Sequence, residues 1–168
     1  MASGTAYAAT DGTIGTTSTG TATLTLTIPK LIVIKGLADL SFGPYTGTGV
    51  LEANEDIVVN VNMRGSGNQK YKVTGTGSCT GNSPANAFNV SDGTNLVDYH
   101  TYFNGATGTS GEAELTAGTA SSTISTATFG LTANTDNANY HVQFTQSSLQ
   151  AASNGTYTGT LTLLVTPQ

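Results

Sequence analysis

Apolar and polar residues alternate along residues 21–28, TATLTLTI, with Ala22, Leu24, Leu26 and Ile28 on one face and threonines on the other. A period of two is the signature of a strand that buries one face. Pro29 stops the run. Lacking an N–H, it breaks the ladder between TLTLTI and the LIVI that follows, so the two halves can belong to different sheets or different molecules. LIVIK is apolar on both faces, as expected of a strand covered on both sides. Elsewhere short β-like runs recur between Gly, Asn, Ser and Asp, and no useful stretch carries a 3.6-residue period. The pattern predicts strands over 21–28, 31–35, 38–42, 56–63, 70–75, 96–103, 112–116, 124–132, 140–145 and 156–166.

Turn chemistry separates these runs. RGSGNQ predicts a hairpin that sets Ile57, Val59 and Val61 against Tyr71 and Val73, and FNGATGTSGE and NTDNAN predict two more. The last run, TYTGTLTLLVTP, puts Tyr157, Leu161, Leu163 and Val165 on one face. Ten short strands at this spacing imply an all-β sandwich or barrel. Residues 1–20 differ: they are rich in Gly, Thr and Ala, with Tyr7 and Ile14 isolated, a composition that ordinarily frays.

Composition narrows the class. The 168 residues suffice for one domain with a core. Only 9% are charged, against about a quarter in average soluble domains. Threonine makes up about a fifth, a residue whose stiff branched Cβ suits a pleated face while its hydroxyl keeps that face wet without charge. Such a surface suits envelope and filament proteins. A net charge of -5, with Lys30, Lys35, Arg64, Lys70 and Lys72 the only Lys and Arg, argues against nucleic acid as a partner. No apolar run approaches a membrane span, and MASGTAYAATDG has neither a basic start nor an apolar core, so an exported protein of this kind would have lost its signal.

Candidate chemistry is sparse. His100 and His141 lie in similar aromatic runs, DYHTYF and NYHVQF, without metal-ligand spacing, and read as surface-facing histidines on a sheet. Glu52, Glu55 and Asp56, and the turn around Asp136, read as solvated groups rather than a calcium loop. No nucleophile elbow, phosphate loop or paired-carboxylate signature occurs, so no enzyme, cofactor or metal is expected. Cys79 is the single cysteine and reads as a free thiol in a loop. Asn89 in NVS and Asn154 in NGT are glycosylation sequons, relevant only in a glycosylating host.

The front segment LTLTIPKLIVIKGLADLSFGPY, the mid-chain LVDYHTYFNG and the terminal GTYTGTLTLLVTP together resemble pilins of the archaic chaperone-usher type and the related spore coat protein U domains. The resemblance spans residues 20–168. It implies an immunoglobulin-like sandwich that lacks one strand and is completed by an N-terminal extension from the next subunit. Residues 1–28 would then be the extension and donor strand and residues 29–168 the incomplete domain. Ala22, Leu24, Leu26 and Ile28 would face the neighbour's groove, with Leu40, Phe42, Tyr157, Leu161, Leu163 and Val165 as acceptor-groove or core residues. Implied partners are identical subunits in a homopolymer, with a periplasmic chaperone and an outer-membrane usher during assembly. The implied location is a filament at the cell surface, serving adhesion or biofilm formation. Family members often carry a disulfide near the first strand of the sandwich, which a lone Cys79 cannot supply.

Two other readings fit the same residues. In one, residues 19–28 are an ordinary first strand folded back in cis, and the chain is a monomeric cell-surface module, wall or carbohydrate associated. The WxL type is excluded because the chain has no Trp. In the other, the chain is a virion or tail subunit with an exchanged arm, since head-to-tail contacts serve that assembly equally.

Overall fold

The computed structural model describes residues 9–65, 67, 69–78 and 87–168. Cys79 and parts of the RGSGNQ turn, the expected thiol loop and hairpin loop, lie outside the described residues. The fold is all-β, as the sequence predicts. One sheet runs β1 (Ile32–Lys35), β2 (Leu51–Val61), β9 (Ala138–Phe144), β6 (His100–Asn104), β7 (Ala113–Glu114), with β8 (Thr128–Phe129) paired to β2. The facing layer is the pair β10 (Leu161–Pro167) and β3 (Tyr71–Gly77). A small ribbon, β4 (Asn89–Ser91) with β5 (Leu96–Asp98), and a single-turn helix, α1 (Gln146–Ala151), close one end.

The core follows from the alternation. Ile57, Val59 and Val61 of β2 are fully buried and pack with Tyr71 and Val73 of β3, also fully buried, across the sandwich. Tyr71 meets Phe103 edge-on with centroids 6.3 Å apart. Each such aliphatic side chain contributes about 1.5–3 kcal/mol on burial. A second cluster, Val97, Tyr99, Val142 and Phe144, fills the end nearest α1.

Several expectations need correction. β2 and β3 are not a hairpin: β3 pairs with β10, while β2 pairs with β1 and β9. A period of two identifies the inward residues but not whether two strands lie side by side or face to face. Of the three predicted hairpin turns, only FNGATGTSGE joins paired neighbours among the described residues, β6 and β7, through Tyr102 with Glu114 and Phe103 with Ala113. NTDNAN joins β8 to β9, which do not pair with each other. Residues 38–42 make no ladder, and β2 begins at Leu51, five residues earlier than predicted, through the acidic LEANE.

β2 changes partner along its length. Leu51–Ile57 pair with β9 and Val58–Val61 with β1. Where β9 begins, the Asn137 amide imitates one more residue of backbone, accepting from Val59 N at 2.8 Å and donating to Val59 O at 2.9 Å. Beyond it β8 takes over in parallel. Lys35 closes this edge by donating its Nζ to the carbonyls of Leu131 and Ala133 and to Asn134 Oδ1. No helix is long and apolar enough to cross a membrane among the described residues.

Candidate functional site: an exposed ribbon and an open groove

The segment predicted as the first strand forms no ladder with the body. Leu24 is 95% exposed, Leu26 83% and Ile28 72%, with Ala22 exposed beside them. Upstream, Thr10 and Thr21 exchange two backbone hydrogen bonds of 2.9 Å and close a loop that holds Ile14 in solvent. Residues 22–28 thus present four exposed apolar side chains that are not buried against the body among the described residues. Water-exposed aliphatic surface of this extent is otherwise uncommon on a folded subunit.

Asn62, at the end of β2, ties the base of this extension to the body. Its Nδ2 donates to Pro29 O at 2.9 Å, its Oδ1 accepts from Leu31 N at 2.8 Å, and its own N–H donates to Leu31 O at 3.2 Å. Pro29 fits here because its missing N–H leaves nothing unpaired at the turn out of the sheet.

On the body, a groove of about 540 Å³ opens between the segment 37–42 and the start of β10. Its floor is the inward face of β9, Tyr140, Val142 and Phe144, with Tyr99 alongside. Leu37, Leu40 and Phe42 line one wall, and Tyr157, Leu161 and Leu163 the other. Phe42 meets Phe144 edge-on at 4.9 Å, and Tyr99 lies 5.5 Å from Phe144. Burial raises the Tyr140 hydroxyl above its ordinary value, with the carboxylates of Glu55 and Asp39 adding to the effect. Gly159 lets the wall approach β4: a Cβ there would stand 3.0 Å from Asn89 O and 3.1 Å from Val90 Cγ1.

Among the described residues, β10 pairs along one edge only. Its ladder to β3 runs through Leu161–Pro167, and the two-stranded sheet ends there. The backbone groups on its other edge face away from β3, which is the arrangement that accepts an added strand. Leu161, Leu163 and Val165 turn inward, half-buried, while Leu164 is exposed.

Five of the six residues expected at a groove or core, Leu40, Phe42, Tyr157, Leu161 and Leu163, line this one cavity. Val165 packs on the main core instead. Sequence reading missed Tyr99, Tyr140, Val142 and Phe144, although YHVQF carries the period-two signal that places Tyr140, Val142 and Phe144 on one face. It also missed Asn62, for which sequence carries no signal. Asn89 is 3% exposed on β4, whereas Asn154 is exposed.

The histidines are not alike. His100 is exposed and pairs with Glu114 through Nδ1 at 2.5 Å. His141, expected at the surface, is buried on the outer face of β9 among Glu112, Glu52 and Tyr102. Its Nδ1 meets Glu112 Oε1 at 2.9 Å and its ring stacks on Tyr102 with centroids 5.3 Å apart. Glu55 and Asp56 sit opposite Tyr140 and Asn139 in the β2–β9 ladder, and Asp56 accepts from Gly108 N and Asn139 Nδ2. Among the described residues no three His, Cys, Asp or Glu side chains converge as metal ligands.

No known family profile matches the chain, and no curated protein matches it. Among solved structures, a chain from a complex described as a chaperone-tip adhesin complex vital for activation of CFA/I fimbriae biogenesis is similar in fold. The TM-score is 0.57 at 14% identity, covering 83% of this chain and 41% of that one. The present chain therefore spans well under half the length of the structure it resembles, and the likeness is one of fold.

Proposed function

We propose that this chain is a structural subunit of an extracellular pilus, polymerised head to tail by strand donation. The single observation that carries the reading is the juxtaposition in one molecule of an exposed apolar ribbon and an open apolar groove beside a strand edge that is one-sided among the described residues. The occupant proposed for the groove is the ribbon of a second copy, residues 22–28. Burying Leu24, Leu26 and Ile28 at about 1.5–3 kcal/mol each stabilises the contact by about 5–9 kcal/mol. A backbone ladder along β10 adds to this, against an association cost of roughly 4–15 kcal/mol. Because ribbon and groove are different surfaces, the contact is heterologous and propagates.

The fold likeness to a chain from a fimbrial chaperone-tip adhesin complex supports the same reading. A subunit with an open groove needs cover until its neighbour arrives, which is the reason to assign it a periplasmic chaperone and an outer-membrane usher as assembly partners. We assign the polymer to the cell surface, in adhesion or biofilm, and assign it no reaction and no cofactor. The alternative in which residues 19–28 are a cis-paired first strand is disfavoured by the 72–95% exposure of Leu24, Leu26 and Ile28.

Negative-stain micrographs of purified chain test the proposal. Long thin fibres that vanish on deletion of residues 1–28 are expected. Fibres of unchanged form from the deleted chain would overturn it.

A further inference from the structure

The two walls of the groove are held very differently. β10 is fixed to β3 by the full ladder from Leu161 to Pro167. Residues 37–46 make one hydrogen bond among the described residues, from Tyr140 Oη to Ala38 O at 2.5 Å. Leu37–Phe42 also lies between two joints, Gly36 with φ 82° and Gly43 with φ 67°, a region that glycine enters at little cost and other residues rarely adopt. A ladderless segment between two such joints belongs to the easily opened part of a fold. Packing restrains it partly: Leu40 touches both core clusters, and Phe42 rests edge-on against Phe144.

Tyr140 is a fixed post for this wall. It is 4% exposed, its backbone is laddered to Glu55 on one side and Phe103 on the other, and its ring is part of the main core. Its hydroxyl reaches the loose segment at the Ala38 carbonyl. We infer that Tyr140 is a positioning residue for strand capture: by holding the Ala38 carbonyl it keeps the Leu37–Phe42 wall at the separation an incoming strand requires. The acceptor is thereby organised before the strand arrives, and binding does not have to order the wall. This rests on the strand-donation reading and adds to it a residue that strand donation alone does not single out.

The test uses the full chain carrying Leu24→Asp and Leu26→Asp, which removes self-donation, and a labelled peptide with the sequence of residues 21–28. Tyr140→Phe in this background keeps the ring and deletes the hydroxyl. The peptide is expected to bind the parent and to bind Tyr140→Phe about 2- to 10-fold more weakly, the worth of one hydrogen bond. The loss is expected mainly in the association rate. Methyl relaxation supplies a second readout, whose first half needs no variant at 140. In the peptide-free parent the Leu37 and Leu40 methyls should be as restrained as those of Leu161 and Leu163, and in Tyr140→Phe they should gain motion that the peptide removes.

Equal affinity of the two proteins overturns the positioning role and leaves strand donation standing. Tighter binding by Tyr140→Phe overturns it as well, since the bond would then be holding the groove shut. Mobile Leu37 and Leu40 methyls in the free parent contradict it even if Tyr140→Phe fails to fold. A parent that does not bind the peptide at all removes strand donation, and this inference with it.

Discussion

Asn62 holds Pro29 by a 2.9 Å bond from its side-chain amide to the proline carbonyl, and in the same grip accepts the Leu31 N–H. The exposed ribbon therefore leaves the body at a fixed point. The bond between Lys30 and Leu31 lies inside this grip. Asn62→Ala removes two side-chain hydrogen bonds, about 1–2 kcal/mol of local anchoring. Trypsin is expected to cut after Lys30 several-fold faster in Asn62→Ala than in wild type, with the melting temperature of the body nearly unchanged. Equal cleavage rates would show that Asn62 does not control the exit of the ribbon.

The ribbon's exposure predicts an unusual separation of stability from assembly. Leu26 is 83% exposed, so Leu26→Asp should change monomer stability by no more than about 0.5 kcal/mol. In a groove the same carboxylate would be desolvated without a partner, at a cost of several kcal/mol. Polymerisation, followed by sedimentation, is expected to fall by more than tenfold. A Leu26→Asp chain that melts much earlier than wild type would mean that the ribbon is covered by its own body in solution.

His141 offers the opposite separation. It lies on the outer face of β9, whereas Tyr140 and Val142 point to the groove. His141→Ala leaves a void beside Tyr102 and takes the partner from Glu112, costing about 1–3 kcal/mol. Thermal unfolding should begin several degrees lower, while affinity for the residue 21–28 peptide stays as it was. A parallel loss of affinity would contradict the assignment of the two faces.

Burial pushes the Tyr71 hydroxyl up to about 12, the largest effect, with the neighbouring Thr126 side chain acting the other way. Tyr140 is raised too, again chiefly by burial. A group whose folded pKa is raised stabilises the fold fully below its unfolded value and loses that contribution as pH climbs to the folded one. Stability should thus be level to about pH 10 and fall between about pH 10 and 12. Circular dichroism and tyrosinate absorbance should change together in that window; ionisation of all tyrosines near pH 10 with no loss of structure would refute it.

How much of this was legible in the sequence depends on the kind of interaction. Alternation marked Leu24, Leu26 and Ile28 as one apolar face, and Leu161, Leu163 and Val165 as another, because a period of two survives whatever the partner. Pairing was not legible for β2 and β3: inward residues on stacked layers and on neighbouring strands look identical in one dimension. Asn137 and Asn62 were invisible because a side-chain amide that imitates backbone has no local signature. α1 was missed because six residues are too few to show a helical period, though Thr145 caps it by accepting from Ser148 N. His141 was read as surface because the side chains that close over it, Glu112, Glu52 and Tyr102, come from other strands and loops and two of them are charged.

The ribbon and the groove meet or they do not, and a photo-crosslinker placed at Leu26 reports which. Irradiated assemblies, digested and mapped by mass spectrometry, should show links from position 26 of one copy to groove residues such as Leu40, Phe144 or Leu163 of another, established with mixed isotope-labelled and unlabelled subunits. Links confined to single chains, or links between copies that avoid the groove, would contradict strand donation.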